Sequence, residues 1–206
     1  TTTDYYDNVV WNKILQDYTD AFNKIDLVMP ITAFACLQRI LNMCNGQLFL
    51  MTGDKGIHRP ADLMEFDYDG LTLHGSFSMV VNYHAIGKFV EALNGQFLTI
   101  PHQHNTLDIC VAVFGDNPNA YQETAFAYHN EIIRRNPDDF YNIKGTIDNF
   151  NNQLSIKQFL SYLRLSNWDD RTFLKYLTVL LEQIGTIPAD QADELYREIL
   201  KIWDMY

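Results

Sequence analysis

Residues 70–115, GLTLHGSFSMVVNYHAIGKFVEALNGQFLTIPHQHNTLDICVAVFG, change apolar period twice and so decide how the chain folds. Leu71 to Leu73 is a short apolar run before Gly75, the pattern of a brief extended segment. From Phe77 onward Met79, Tyr83, Ile86, Val90 and Leu93 recur at three- and four-residue steps, which predicts one face of a helix. Asn94 and Gly95 stop it, since these two residue types take the left-handed conformation at least cost. Phe97 to Ile100 and Ile109 to Phe114 then read as two strands joined by the polar connection PHQHNT. Four of the six histidines lie in this one stretch.

Upstream, Asp4 to Phe22 carries Val9, Val10, Ile14, Leu15, Tyr18 and Phe22 as a helical stripe. Pro30 sets the first turn of a second helix, whose apolar side is Phe34, Leu37, Ile40, Leu41 and Cys44 and whose stop is Asn45-Gly46. Gln47 to Met51, apolar without alternation, reads as a strand covered on both faces in a parallel sheet. Thr52 to Gly56 follows its carboxyl end, where open α/β sheets place their ligand crevices. His58 to Asp69 is acidic and contains Pro60; it reads as a loop, either covering that crevice or a plain surface excursion.

Beyond Gly115 the cluster Asp116-Asn117-Pro118-Asn119 marks a boundary, and from Ala120 onward only helical segments are expected. Pro137 with Asp138 and Asp139 starts one helix; Ser155 and Gln158 have capping-box spacing before another. Asn167 caps a helix ending at Gly185, and Pro188 opens the last, with Ala192, Leu195, Ile199 and Trp203 on one side. The expected organisation is an α/β domain over residues 1–117 and a helical domain of stacked hairpins over 118–206, with a helical solenoid as the alternative for the second.

The 206 residues are 47% hydrophobic and 20% charged, a globular composition. A net charge of -11 argues against nucleic acid and anionic membrane surfaces as partners. No apolar run is long enough to cross a bilayer and no signal pattern opens the chain. Cys36, Cys44 and Cys110 form no framework spacing and each lies in an apolar run, so they read as small hydrophobes in a reducing compartment, with a cytoplasmic location expected.

Leu71-Thr72-Leu73-His74-Gly75-Ser76-Phe77, followed by helix, Gly95 and two strands, resembles the L-T-x-H-x-x-F segment before the last helix of class I S-adenosylmethionine-dependent methyltransferases of the MidA-like, protein arginine methyltransferase type. GQLFLMTGDKG at residues 46–56 is similar to that group's G-x-L-x-x-x-D-Y-G strand end, with Thr52-Gly53-Asp54 where the group has its acid and aromatic. The resemblance spans about residues 30–115 and implies the closing half of a Rossmann-like, doubly wound methyltransferase sheet, a partial one because its first half is not seen. It implies S-adenosylmethionine as cofactor and a protein as substrate or partner. The glycine-rich turn that would cradle the cofactor is absent, since the ten glycines never form GxGxG; the opening Thr-Thr-Thr fits a chain whose cofactor half lies upstream, the other option being that it is missing altogether.

The resemblance puts His74 on the substrate side of the crevice as the catalytic candidate, with His84 second, and Asp54, Ser76 and Asn82 as substrate-binding residues. A neutral imidazole there can orient a substrate or accept a proton, its reference pKa of about 6.5 lying near working pH. A partly buried structural histidine with one hydrogen bond is the other reading of His74. Asp54, Lys55 and His58 read as a crevice cluster or as a solvated turn. His102 and His104 point to one side of an extended segment, but tetrahedral zinc needs three or four ligands and none of that spacing stands beside them, so no metal is expected. No GxSxG is present, and Gly53-Asp54-Lys55-Gly56 lacks the rest of a P-loop. Two functions follow: half of a methyltransferase with a helical appendage for recognising a protein, or a non-catalytic interaction module whose helical part docks a partner.

Overall fold

The computed structural model describes residues 4–65, 72–73, 77–101, 107–117, 121–149 and 154–204. The chain divides into two compact units, the first ending at Asp138 and the second running from Asp139 to Tyr206. The division falls beyond the boundary expected from the sequence after residue 117, because Tyr128, Ile132 and Ile133 pack on the sheet of the first unit. The described residues are mixed α/β, with many helices, a three-stranded antiparallel sheet and two short two-stranded pairings, one parallel and one antiparallel.

In the first unit, α1 (Val9–Ala21) starts at Asn8, whose side chain accepts from the amides of Val10 and Trp11. Helix α2 (Ile31–Met43) ends where Asn45 and Gly46 take positive φ and Gly46 N–H bonds back to Leu41 C=O, the closure the sequence predicts. Strand β1 (Leu48–Asp54) follows, then the short β2 (Gly56–Ile57), α3 (Pro60–Glu65), β3 (Thr72–Leu73), β4 (Phe77–Ser78) and β5 (Val81–Asn82). Helix α4 (Tyr83–Ala92), β6 (Gln96–Leu98) and β7 (Asp108–Phe114) complete the core. The sheet order is β1-β7-β6; β7 is antiparallel to both neighbours, so β1 and β6 run in the same direction. On one face Ala112 and Phe114 of β7 pack with Ile14, Phe34, Leu37 and Phe89 from α1, α2 and α4, with the Phe34 and Phe89 rings stacked 4.5 Å apart. On the other, Val111 and Val113 meet Ile100 and Tyr128, the latter from α5 (Gln122–Tyr128), which runs into one π-helical turn, His129–Ile133. Burial of each such side chain contributes about 1.5–3 kcal/mol, and β7, covered on both faces, is the apolar centre.

Four expectations need correction. Residues 47–51 read from the sequence as lying inside a parallel sheet with both faces covered, but β1 pairs antiparallel with β7 and alternates, leaving Phe49 and Met51 57% and 58% exposed. The helix expected from Phe77 begins at Tyr83, because the Asn82 side chain accepts from Ala85 N–H and fixes the start there; Met79 lies outside the helix. Residues 58–69 are not wholly a loop: Pro60 opens α3, whose Leu63 is buried. Cys36 and Cys44 are exposed, and only Cys110 behaves as a core hydrophobe. Gly95 serves packing more than conformation: Asn94 carries the positive φ, while a Cβ on Gly95 would meet Phe114 at 2.6 Å.

In the second unit, α6 (Pro137–Asn149), α7 (Ile156–Leu165), α8 (Asp170–Lys175), α9 (Leu177–Gln183) and α10 (Ala189–Asp204) follow in sequence, with a 3₁₀ turn at Ile184–Thr186. The capping box of Ser155 and Gln158 opens α7 as read from the sequence. Asn167 is not a cap: it and Trp168 take positive φ, and Asp169 caps α8 by accepting from Thr172 N–H. The core is Phe159, Leu160, Leu163, Tyr176 and Leu180, closed by Leu195 and Ile202 of α10.

Candidate functional site

Strand β1 delivers Thr52, Gly53 and Asp54 at its carboxyl end, beside the first residue of β7, since Asp54 pairs with Asp108. One residue later the chain turns into β2, which pairs in parallel with β5, and β5 passes directly into α4. Three polar pairs meet at this edge as a result.

The most enclosed is His58 with Asp108. The imidazole Nδ1 lies 2.6 Å from Asp108 Oδ2, and the two side chains are 5% and 0% exposed. Asp108 Oδ1 also accepts from the Cys110 thiol at 3.6 Å, and burial together with that carboxylate pushes the thiol pKa well above its usual range, so Cys110 is no nucleophile. The second pair is Tyr83 with Thr52, hydroxyl to hydroxyl at 3.0 Å. Burial pushes the Tyr83 phenol up to about 12, against the opposing effect of the Thr52 bond, with Cys110, Asp54 and Asp108 adding to the rise. Gly56 makes this ring position attainable, because a Cβ there would stand 2.2 Å from it.

The third pair is His84 with Tyr18, Nδ1 to hydroxyl at 2.7 Å. Burial lowers the His84 pKa to about 4, with the Lys88 ammonium and His58 adding to it. His84 is therefore a neutral hydrogen-bonding ring at working pH and a weak base, suited more to orienting a group than to taking its proton. Asn82, 1% exposed, spends both ends of its amide on the fold: Oδ1 accepts from Ala85 N–H and Nδ2 donates to Val28 C=O at 3.1 Å. Asp54 is exposed at the rim, its carboxylate accepting from Lys55 N–H.

Asp54, Asn82 and His84 thus gather at one edge, while His74, Ser76, His102 and His104 lie outside the described residues. Sequence reasoning missed Asp108, Tyr83 and Tyr18 as site residues, and left His58 between a crevice cluster and a solvated turn; the structure buries it against Asp108. One signal was present: Asp108 is the single acid opening an otherwise apolar run, DICVAVF, where an acid needs a partner. Among the described residues no group of three or more His, Cys, Asp or Glu is placed to hold a metal ion. Nor do these residues form a cradle for a nucleoside cofactor by themselves: no glycine-rich turn follows β1, and the backbone there is occupied by the β2 return. The arrangement offers a polar group the hydroxyls of Tyr83 and Thr52 and the His84 imidazole beside the carboxylates of Asp54 and Asp108. No helix among the described residues is long and apolar enough to cross a membrane. No family model, curated protein or solved structure matches the chain.

Proposed function

We propose that these residues are the closing half of a class I S-adenosylmethionine-dependent methyltransferase that acts on a protein, with the helical unit serving recognition. One observation carries the reading: β1 and β6 run in the same direction, are joined through α4, and take the reversed strand β7 between them. Parallel strands need a crossover of this kind, and large mixed sheets that combine parallel strands with a reversed one are common. The polar pairs stand at the carboxyl end of β1, where such sheets bind their ligands. On its other side β1 pairs with no strand among the described residues, so its backbone groups there are open to a further strand.

The sequence holds no GxGxG turn, so the chemistry assigned to its side chains is that of the acceptor side. His84 and Tyr18 orient the acceptor as uncharged partners and Asp54 contacts it at the rim; His74 and Ser76, outside the described residues, remain the sequence-based candidates for taking its proton and for binding it. The test is transfer of a labelled methyl group from S-adenosylmethionine by the natural polypeptide that contains residues 1–206. Transfer is expected and should slow on exchange of His74→Ala; unchanged turnover removes His74, and no transfer to any protein acceptor removes the reading.

The second reading, an interaction module in the cytoplasm, draws on the apolar side chains the helical unit exposes, among them Leu165, Tyr196 and Trp203 at 74%, 65% and 77%. A chain that binds a partner through these residues but no cofactor would favour it.

A further inference from the structure

Helix α10 is apolar over a wider arc than its own core uses. Leu195 and Ile202 close the helical core, with Ile199 partly buried beside them. The adjacent face carries Tyr196, Leu200 and Trp203, all exposed, at four- and three-residue steps, so they form one stripe along the helix. Ala189 and Ala192, also exposed, continue that stripe towards the amino end. A surface helix ordinarily turns charged and polar residues outward at such positions.

The stripe is symmetric about Tyr196: Ala192 and Leu200 stand four residues to either side of it, Ala189 and Trp203 seven. Two copies of the helix packed antiparallel about a two-fold axis at Tyr196 therefore set each Leu200 and each Trp203 against an alanine of the other copy, large into small, as a self-complementary contact requires. Charge selects the same occupant. Asp193, Arg197 and Lys201, all exposed, follow one another at four-residue steps along one flank of the stripe. In antiparallel packing this flank meets itself reversed, so Asp193 falls between Arg197 and Lys201 of the other copy; parallel packing would set acid on acid and base on base. Lys201 also bonds Glu198 of its own helix, which leaves Arg197 as the main partner of Asp193.

We propose that α10 is a homodimerisation face, on which a second copy of this chain docks antiparallel across Tyr196, Leu200 and Trp203. The inference names the partner for the interaction reading and does not depend on methyl transfer. A net charge of -11 on each chain opposes association and one helix pair is a small interface, so the dissociation constant is expected on the order of 10–100 μM.

Sedimentation equilibrium of the full chain, from about 1 μM to about 0.5 mM, should show a monomer passing into a dimer. Leu200→Asp, at an exposed position, should weaken the dimer about tenfold with the circular dichroism unchanged. Asp193→Arg and Arg197→Asp should each weaken it about fivefold alone, and an equal mixture of the two variants should regain the original affinity, because every acid again meets a base. In a chain carrying Cys36→Ser and Cys44→Ser, which removes the exposed thiols, Tyr196→Cys should cross-link the dimer under a mild oxidant and Trp203→Cys should not. A chain that stays monomeric throughout, a dimer indifferent to Leu200→Asp, charge variants that do not restore one another, or cross-linking at 203 as readily as at 196 would overturn the proposal. None of these outcomes bears on methyl transfer, which is read with the cofactor present.

Discussion

Asp108 in the first unit and Asp148 in the second are both acids set among partners from distant parts of their own unit, and the two are used differently. Asp148, 21% exposed, takes Lys175 at 2.7 Å, Lys144 at 3.2 Å and the Tyr176 hydroxyl, so that α6 is stapled to α8. Burial raises its pKa, but the bonds from Lys175, Tyr176 and Lys144 outweigh that and hold the carboxyl at about 2. Such a group is saturated, and its work is structural. Asp108 has no exposure, faces the His58 imidazole, and sits at the end of the central strand where three polar pairs converge. Placement at a strand's ligand edge, rather than the strength of an ion pair, separates a candidate site from a staple.

That comparison can be broken in order of size. Asp108→Ala leaves His58 buried without its carboxylate and should cost the first unit about 3–5 kcal/mol while the second keeps its stability, as read by hydrogen exchange in each unit. If both units weaken together, they do not fold as separate blocks. Acid should also find the units in sequence. The folded His84 pKa lies below its unfolded value, so its contribution is complete above pH 6.5 and is lost as pH falls from there towards 4; across that window the first unit should lose about 2–3 kcal/mol. Asp148, also depressed, contributes fully above its ordinary value of 3.8 and loses it towards pH 2, so the second unit should hold until then. A pH scan of the Trp11 and Trp168 environments checks the order, and His84→Gln should flatten the upper window.

Gly56→Ala, which forces Tyr83 aside, should cost the first unit about 2 kcal/mol, read from its denaturation midpoint. Smallest is Asp148→Asn, expected to cost the second unit about 1–2 kcal/mol at neutral pH, because the carboxylate is still partly wetted.

Local signals carry much of this architecture. Asn45-Gly46, Asn94, Pro30 and the Ser155 capping box act through residues next to them, so they can be read from the chain. Long-range geometry is less legible. QLFLM reads as a doubly covered strand because Phe49 and Met51 are apolar, and no local feature says which neighbour they await. The start of α4 is misread because Met79 and Tyr83 happen to sit four residues apart, and the deciding fact, the Asn82 cap and its bond to Val28, joins residues far apart in sequence. The site shows the same limit. Asp54, Asn82 and His84 can be found from one stretch and its neighbour, whereas His58 and Asp108 become a pair only once β1 and β7 lie side by side.

Whether β1 continues a larger sheet that holds a nucleoside cofactor at its carboxyl edge is tested most directly by equilibrium dialysis of labelled S-adenosylmethionine against the natural polypeptide containing residues 1–206. Saturable binding in the micromolar range, with the outward amides of β1 protected from exchange, is the expected result. No binding at millimolar cofactor, with those amides exchanging freely, would contradict it.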